Sequence, residues 1–248
     1  MTKAVLAKSR QHRRMRRLRR AAVAVVVLLI AGTLCAGLAY ELALPSVSGA
    51  EARVAAIVRA HHGEIGTLPA SSRLASAVVA VEDDRFYSNT LVNVLYGVAR
   101  ATISTLHNSG DAGGSTIAQQ LAKQLYGGGG GLKASLEEMA VGVKLSTGYS
   151  RAKVLNMYLN AVYYGNGYWG DVEAARGYFG VAPARLSWAE AAMLAGLLQA
   201  PSGYDPLRHF TLAKQRQLHV LDRLVADHRL TSAQRTAAYS AHLPLRGA

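Results

Sequence analysis

Gly113-Gly114-Ser115-Thr116-Ile117-Ala118-Gln119-Gln120-Leu121-Ala122-Lys123 is the stretch on which the fold class turns. Two glycines open it, Thr116 and Gln119 stand at capping-box spacing, and Ile117, Leu121 and Leu125 recur on one face. That combination predicts an amphipathic helix with a marked start. Its first-turn amides point outward and suit an anion, while Gln119 and Lys123 share the face opposite the apolar stripe. A solvated surface accounts for Gln and Lys there equally well, so this stretch alone supports phosphate binding only weakly.

Outward from it the same period continues. Leu74, Ala77, Val78 and Val81 form one stripe, and Val154, Leu155, Tyr158, Leu159 and Val162 another. Leu218, Leu221, Leu224 and Val225 mark a helix near the C-terminus, and Ala52–His61 a short one. Ser187 and Glu190 form a second capping box, for a helix that Pro201 ends. Alternation of period two is scarce, so the class is mainly α. Gly127 to Gly131 reads as a flexible connection, with a lid over a site as the sharper alternative.

Val81-Glu82-Asp83-Asp84-Arg85-Phe86-Tyr87 sets three carboxylates after an apolar helix face. Acids at a helix C-terminus oppose the macrodipole, so a solvated helix end competes with a functional use. A Glu beside an apolar stripe suits a general base with a raised pKa. Glu137-Glu138 and Arg151 to Lys153 supply a second carboxylate pair and a second basic cluster. Two carboxylates with adjoining cations fit glycosyl transfer from a diphosphate donor.

Composition narrows the function classes. The chain has 248 residues, 28 Lys/Arg against 15 Asp/Glu, and one cysteine. Cys35 alone excludes a disulfide framework, and the scattered histidines offer no metal-ligand spacing, so no metal site is expected. Nine of the basic residues fall within the first twenty positions, with no acid among them. The charge is therefore a tail, which argues against a nucleic-acid partner. Ala21–Tyr40 follows it, twenty residues without a charge. About 20 apolar residues span a bilayer core, and the basic flank places the N-terminus in the cytoplasm. A cleaved signal peptide competes through Ala36-Gly37-Leu38-Ala39, but both the apolar run and the basic region are long for one. The expected organisation is a basic tail over 1–20, a transmembrane helix over 21–40, a Pro/Gly/Ser-containing juxtamembrane linker over 41–70, and a catalytic domain over 71–248.

GluAspAspArgPhe at 82–86, the Gly113–Lys123 motif and Tyr158-Leu159-Asn160 occur in an order that resembles the family 51 glycosyltransferases. These are the glycosyltransferase domains of class A penicillin-binding proteins and the monofunctional biosynthetic transglycosylases. Tyr164 to Gly167, Glu173 to Ala175, Tyr178 to Gly180, Gln199 to Ser202 and Arg216 extend the resemblance, which runs from about Leu74 to Arg223. It implies a lysozyme-like, two-lobed catalytic domain that polymerises lipid II with inversion. It also implies a bacterial cytoplasmic membrane location, with the catalytic domain extracytoplasmic. Glu82 matches the general base with Asp83 beside it, and Glu138 the second glutamate, with Glu137 the alternative. Ser115, Thr116, Gln119, Gln120 and Lys123 match positions associated with the donor sugar and diphosphate. Lys123 and Arg151 would assist diphosphate departure, alongside a divalent cation (Mg or Mn) that no residue pattern dictates. The implied partners are lipid II, the growing glycan strand, the membrane and other cell-wall synthases.

The chain departs from that pattern. Asn89 and Leu91 replace a His and a Gly, Ala134 and Ser135 an Arg-Lys pair, Asn156 a Glu and Gln217 an Arg. Charge-assisted contacts contribute about 1.5–3 kcal/mol each, so losing cations near a diphosphate is costly. The alternative is thus a catalytically weak relative that serves as a lipid II-binding or synthase scaffold. Ser150-x-x-Lys153 mimics a transpeptidase motif, but no Ser-Asp-Asn or Lys-Thr-Gly follows.

Overall fold

In a computed structural model, residues 2–87 and 115–246 are described; Asn89, Leu91, Gly113 and Gly114 lie outside them. Ten α-helices occur among the described residues: α1 (Thr2–Ala43), α2 (Ala50–Ala60), α3 (Arg73–Glu82), α4 (Ile117–Tyr126), α5 (Leu132–Gly148), α6 (Arg151–Ala161), α7 (Asp171–Phe179), α8 (Trp188–Leu197), α9 (Phe210–Ala226) and α10 (Ser232–Ser240). An isolated bridge joins Tyr163 and Trp169. The mainly α expectation holds.

The chain divides into two compact units, Met1–Pro45 and Ser46–Ala248. The first is α1, a continuous helix that includes the uncharged run. Its described side chains from Val23 to Ala39 are all exposed. Among the described residues no helix is long and apolar enough to cross a membrane.

The second unit is built around α8. Its sequence WAEAAMLAGL is apolar on every face, and all residues from Ala189 to Leu197 are buried, as in a helix packed on all sides. α3 and α9 pack against α8 and against each other. A second group joins α4, α5 and α6, with α2 against α6. The sequence stripes face these interiors: Leu74, Ala77 and Val78 on α3, Ile117, Leu121 and Leu125 on α4, and Val154, Leu155, Tyr158 and Leu159 on α6 are buried. Both expected capping boxes form, Thr116 with Gln119 and Ser187 with Glu190. α8 stops at Leu197, ahead of Pro201, which lies in the following turn.

Two close approaches set the second group. A Cβ on Gly142 of α5 would come within 3.1 Å of the Gln119 backbone, so α5 crosses the first turn of α4 nearly backbone on backbone. At the other end of α4, a Cβ on Gly127 would meet the Lys123 carbonyl oxygen at 2.3 Å, so the glycine run begins where no side chain fits. Gly131, at φ +90°, then leads into α5.

The extended stretch after α2 is clasped by two asparagines one turn apart on α6. Asn160 accepts from the Gly66 amide at 2.7 Å and donates to the Gly66 carbonyl at 3.0 Å. Asn156 treats Leu68 in the same way, at 2.7 and 2.9 Å. Each side-chain amide pairs with a peptide as a neighbouring strand would. The Asn156 departure therefore serves the backbone of residues 66–68 and leaves the leaving-group question to other residues. Gln217 is likewise fully buried and donates to the Ala189 carbonyl at 2.7 Å, tying α9 to α8; an arginine there would put a cation into that packed interior.

Asn160→Ala should lower stability by about 2–4 kcal/mol, because it strips both partners from the Gly66 peptide. Asn160→Asp should cost at least as much in urea unfolding at neutral pH, because a buried carboxylate would face the Gly66 and Asn156 carbonyl oxygens.

Candidate active site

The three carboxylates after α3 go to three different partners. Glu82, the last residue of α3, accepts through Oε2 from Gln120 Nε2 at 2.7 Å. Asp83 accepts through Oδ2 from the Ile117 amide, the first helical amide of α4, at 3.1 Å. Asp84 pairs with Arg223 at 2.9 Å, and the same guanidinium donates to the Ala80 carbonyl at the end of α3. The adverse placement of acids against the α3 dipole is thus offset: Asp83 lies at the positive end of α4, and Arg223 covers an α3 carbonyl.

Three amides at the α4 N-terminus already have partners within the protein. The Ile117 amide is taken by Asp83, the Gln119 amide by Thr116 Oγ1, and the Thr116 amide by Gln119 Oε1. Thr116 and Gln119 therefore spend these groups on the cap. Ser115 is exposed just ahead of it.

Gln120 faces inward from α4 and links Glu82 to Tyr158. The Tyr158 hydroxyl donates to Gln120 Oε1 at 2.7 Å, and Gln120 donates in turn to Glu82. Tyr158 is fully buried on α6. Burial pushes the Glu82 carboxyl above the ordinary range, against the lowering pull of the Gln120 hydrogen bond and the Arg216 charge. Burial also raises Asp83, to about 6, although the Ile117 amide and Arg151 favour its charged form and Asp84 disfavours it. Arg151, the first residue of α6, sets its guanidinium 5.6 Å from the Phe86 ring centroid.

The structure therefore brings together Glu82, Asp83, Thr116, Gln119, Gln120 and Arg151. Lys123 is exposed on α4, two turns from the cap. Glu138 lies on α5 one turn before Gly142 and so on the face that crosses α4. Lys133 is paired with Glu137 at 3.7 Å on an exposed surface, and Ser135 is exposed as well. No group of three or more His, Cys, Asp or Glu side chains that would hold a metal occurs among the described residues. Tyr158 and Arg216 were missed as site residues: a Tyr on a buried stripe reads as core, and nothing in the spacing points its hydroxyl at α4.

The transglycosylase family model matches residues 53–225. Over 222 residues the chain is 33% identical to a Cupriavidus necator protein provisionally named a transglycosylase, covering 89% of this chain and 95% of that one. Penicillin-binding protein 2a of Streptococcus pneumoniae is 40% identical over 169 residues, 68% of this chain and 23% of its own length. Penicillin-binding protein 1A of Neisseria flavescens is 38% identical over 172 residues, 68% of this chain and 21% of its own. The chain thus spans under a quarter of those penicillin-binding proteins. It belongs to the transglycosylase family, family 51 of the glycosyltransferases.

A carboxyl raised in the folded state holds its proton more tightly there than in the unfolded chain. Its stabilising share is complete below about 3.8 and is lost as pH rises through about 6, for Asp83 and equally for the buried Asp171. Stability should therefore fall between pH 4 and pH 6. Asp83→Asn keeps an oxygen for the Ile117 amide and should flatten that slope by at most about 3 kcal/mol, at about 1.4 kcal/mol per unit. Urea midpoints across the window give the comparison.

Proposed function

We propose that this chain is a peptidoglycan glycosyltransferase that polymerises lipid II, with Glu82 as general base. The observation that carries the reading is the buried Tyr158–Gln120–Glu82 chain of hydrogen bonds in a transglycosylase-family domain. A carboxyl with a raised pKa takes up a proton near neutral pH more readily than an ordinary one. Glu82 removes the proton of the acceptor hydroxyl as that oxygen attacks the anomeric carbon of the donor. The bond from that carbon to the diphosphate breaks, and the electron pair leaves with the diphosphate. Lys123, exposed on α4, and Arg151, at the start of α6, lie on the elements that flank Glu82 and stabilise the departing charge. Asp83 keeps α4 in place, and Glu138 acts as the second carboxylate from α5. A divalent cation, Mg or Mn, belongs with the diphosphate of the substrate rather than with a cage of protein ligands.

The catalytic unit is proposed to be lysozyme-like and extracytoplasmic at the bacterial membrane. Residues 1–20 form a cytoplasmic basic tail, Ala21–Tyr40 the single-pass anchor, and 71–248 the glycosyltransferase domain. The support is a twenty-residue uncharged run inside one continuous helix with nine basic residues on one side. Lipid II, the glycan strand and the membrane are the proposed partners, and other cell-wall synthases are natural neighbours of such a domain. A scaffold with weak catalysis is the second reading, favoured by Ala134 and Ser135 supplying no cation.

Initial polymerisation rates on purified lipid II separate the two. Glu82→Gln should fold normally and turn over about 10²–10⁴ times more slowly. Parent activity in that variant would sink the assignment, and an inactive parent that binds lipid II would favour the scaffold. Lys123→Ala should reduce turnover more than Arg151→Lys, since the latter keeps its charge and loses only the planar fork.

A further inference from the structure

We infer that Tyr158 is a positioning residue: through Gln120 it fixes which oxygen of Glu82 is left to receive the proton. Tyr158 donates to Gln120 Oε1, which leaves the Gln120 amide nitrogen no choice but to face Glu82 Oε2. Turning the Gln120 amide over would set its carbonyl against the Glu82 carboxylate. It would also leave the Tyr158 proton with no acceptor, in a position that is fully buried. Orphaning a buried donor is costly, and two orphaned contacts oppose the flip together. Oε2 is engaged by Gln120, which leaves Oε1 as the proton-accepting oxygen in the proposed mechanism. The proton of the acceptor hydroxyl then passes to Oε1 while Gln120 continues to donate to Oε2.

The inference rests on the general-base reading for its consequence in turnover, but not for its geometry. The charged and titratable groups that bear on Glu82 come from each packed element: Tyr158 from α6, Arg216 from α9, Tyr164 from the loop after α6, and Asp83 and Asp84 in sequence. Tyr164 supplies a natural control. Its hydroxyl is equally buried and has no hydrogen-bond partner among the described residues, so its removal loosens the interior to a similar degree without touching Gln120.

The experiment uses the full chain in detergent, labelled with ¹³C at the glutamate carboxyls and with the Glu82 resonance assigned through Glu82→Gln. The Glu82 midpoint is followed in the parent, Tyr158→Phe, Gln120→Met, the double variant and Tyr164→Phe. Tyr158→Phe should raise the midpoint by roughly half a unit to one unit, because the hydrogen bond that favours the charged form is no longer held. Gln120→Met should do at least as much, and the double variant should match Gln120→Met alone. In lipid II polymerisation the acid limb of the pH profile should move up by the same amount in Tyr158→Phe, with kcat falling more than KM changes. An unmoved Glu82 midpoint in Tyr158→Phe, an additive double variant, or an equal shift in Tyr164→Phe overturns the inference. A shifted midpoint with an unshifted pH profile upholds the positioning and overturns Glu82 as the base.

Discussion

The Asp83 carboxylate on the Ile117 amide joins the end of α3 to the start of α4, and the rest of the site hangs from that join. α3 ends in three acids where its own dipole is negative, which on an isolated helix would be unfavourable. Here the negative end meets the positive end of a second helix, and Arg223 covers an α3 carbonyl from α9. Because the join fixes α4 in register with α3, Gln120 falls opposite Glu82 rather than a turn away. Gly142 then lets α5 lie against the first turn of α4, and Tyr158 reaches Gln120 from α6. Each helix is placed by a contact one residue wide.

The departures from the family pattern divide by the contacts they make. Asn156 and Gln217 are structural: one pairs with the Leu68 peptide and the other ties α9 to the Ala189 carbonyl. Ala134 and Ser135 remain genuine losses of charge at the start of α5, and Lys133 is matched there by Glu137. The charge available to a departing diphosphate is therefore concentrated on Lys123 and Arg151 in the proposed mechanism.

Burial gives the carboxyl cluster its chemistry and its cost together. Desolvation raises Glu82 and Asp83, while one hydrogen bond to each pulls the other way. In the proposed mechanism Glu82 is charged at neutral pH, and the donated bond then offsets part of the desolvation. Gln120 is itself held by the buried Tyr158 hydroxyl.

The mainly α class, the helices of both groups and both capping boxes were legible in the sequence, because period and cap chemistry act within a few residues of each other. Glu82, Asp83, Gln120 and Arg151 were legible through the motif order. The fates of the three acids were not: whether a carboxylate at a helix end meets solvent, a cation or another helix depends on residues far along the chain, Ile117, Gln120 and Arg223 in this case. At the α4 N-terminus a sequence shows unsatisfied amides but not the Asp83 side chain that arrives from another element to take the Ile117 amide. Tyr158 looked like core, which it is, and only the packing of α6 on α4 turned its hydroxyl into part of the site. Local periodicity and capping chose the elements; the long-range pairing of charges and amides, which desolvation makes costly to leave unmade, chose what they do together.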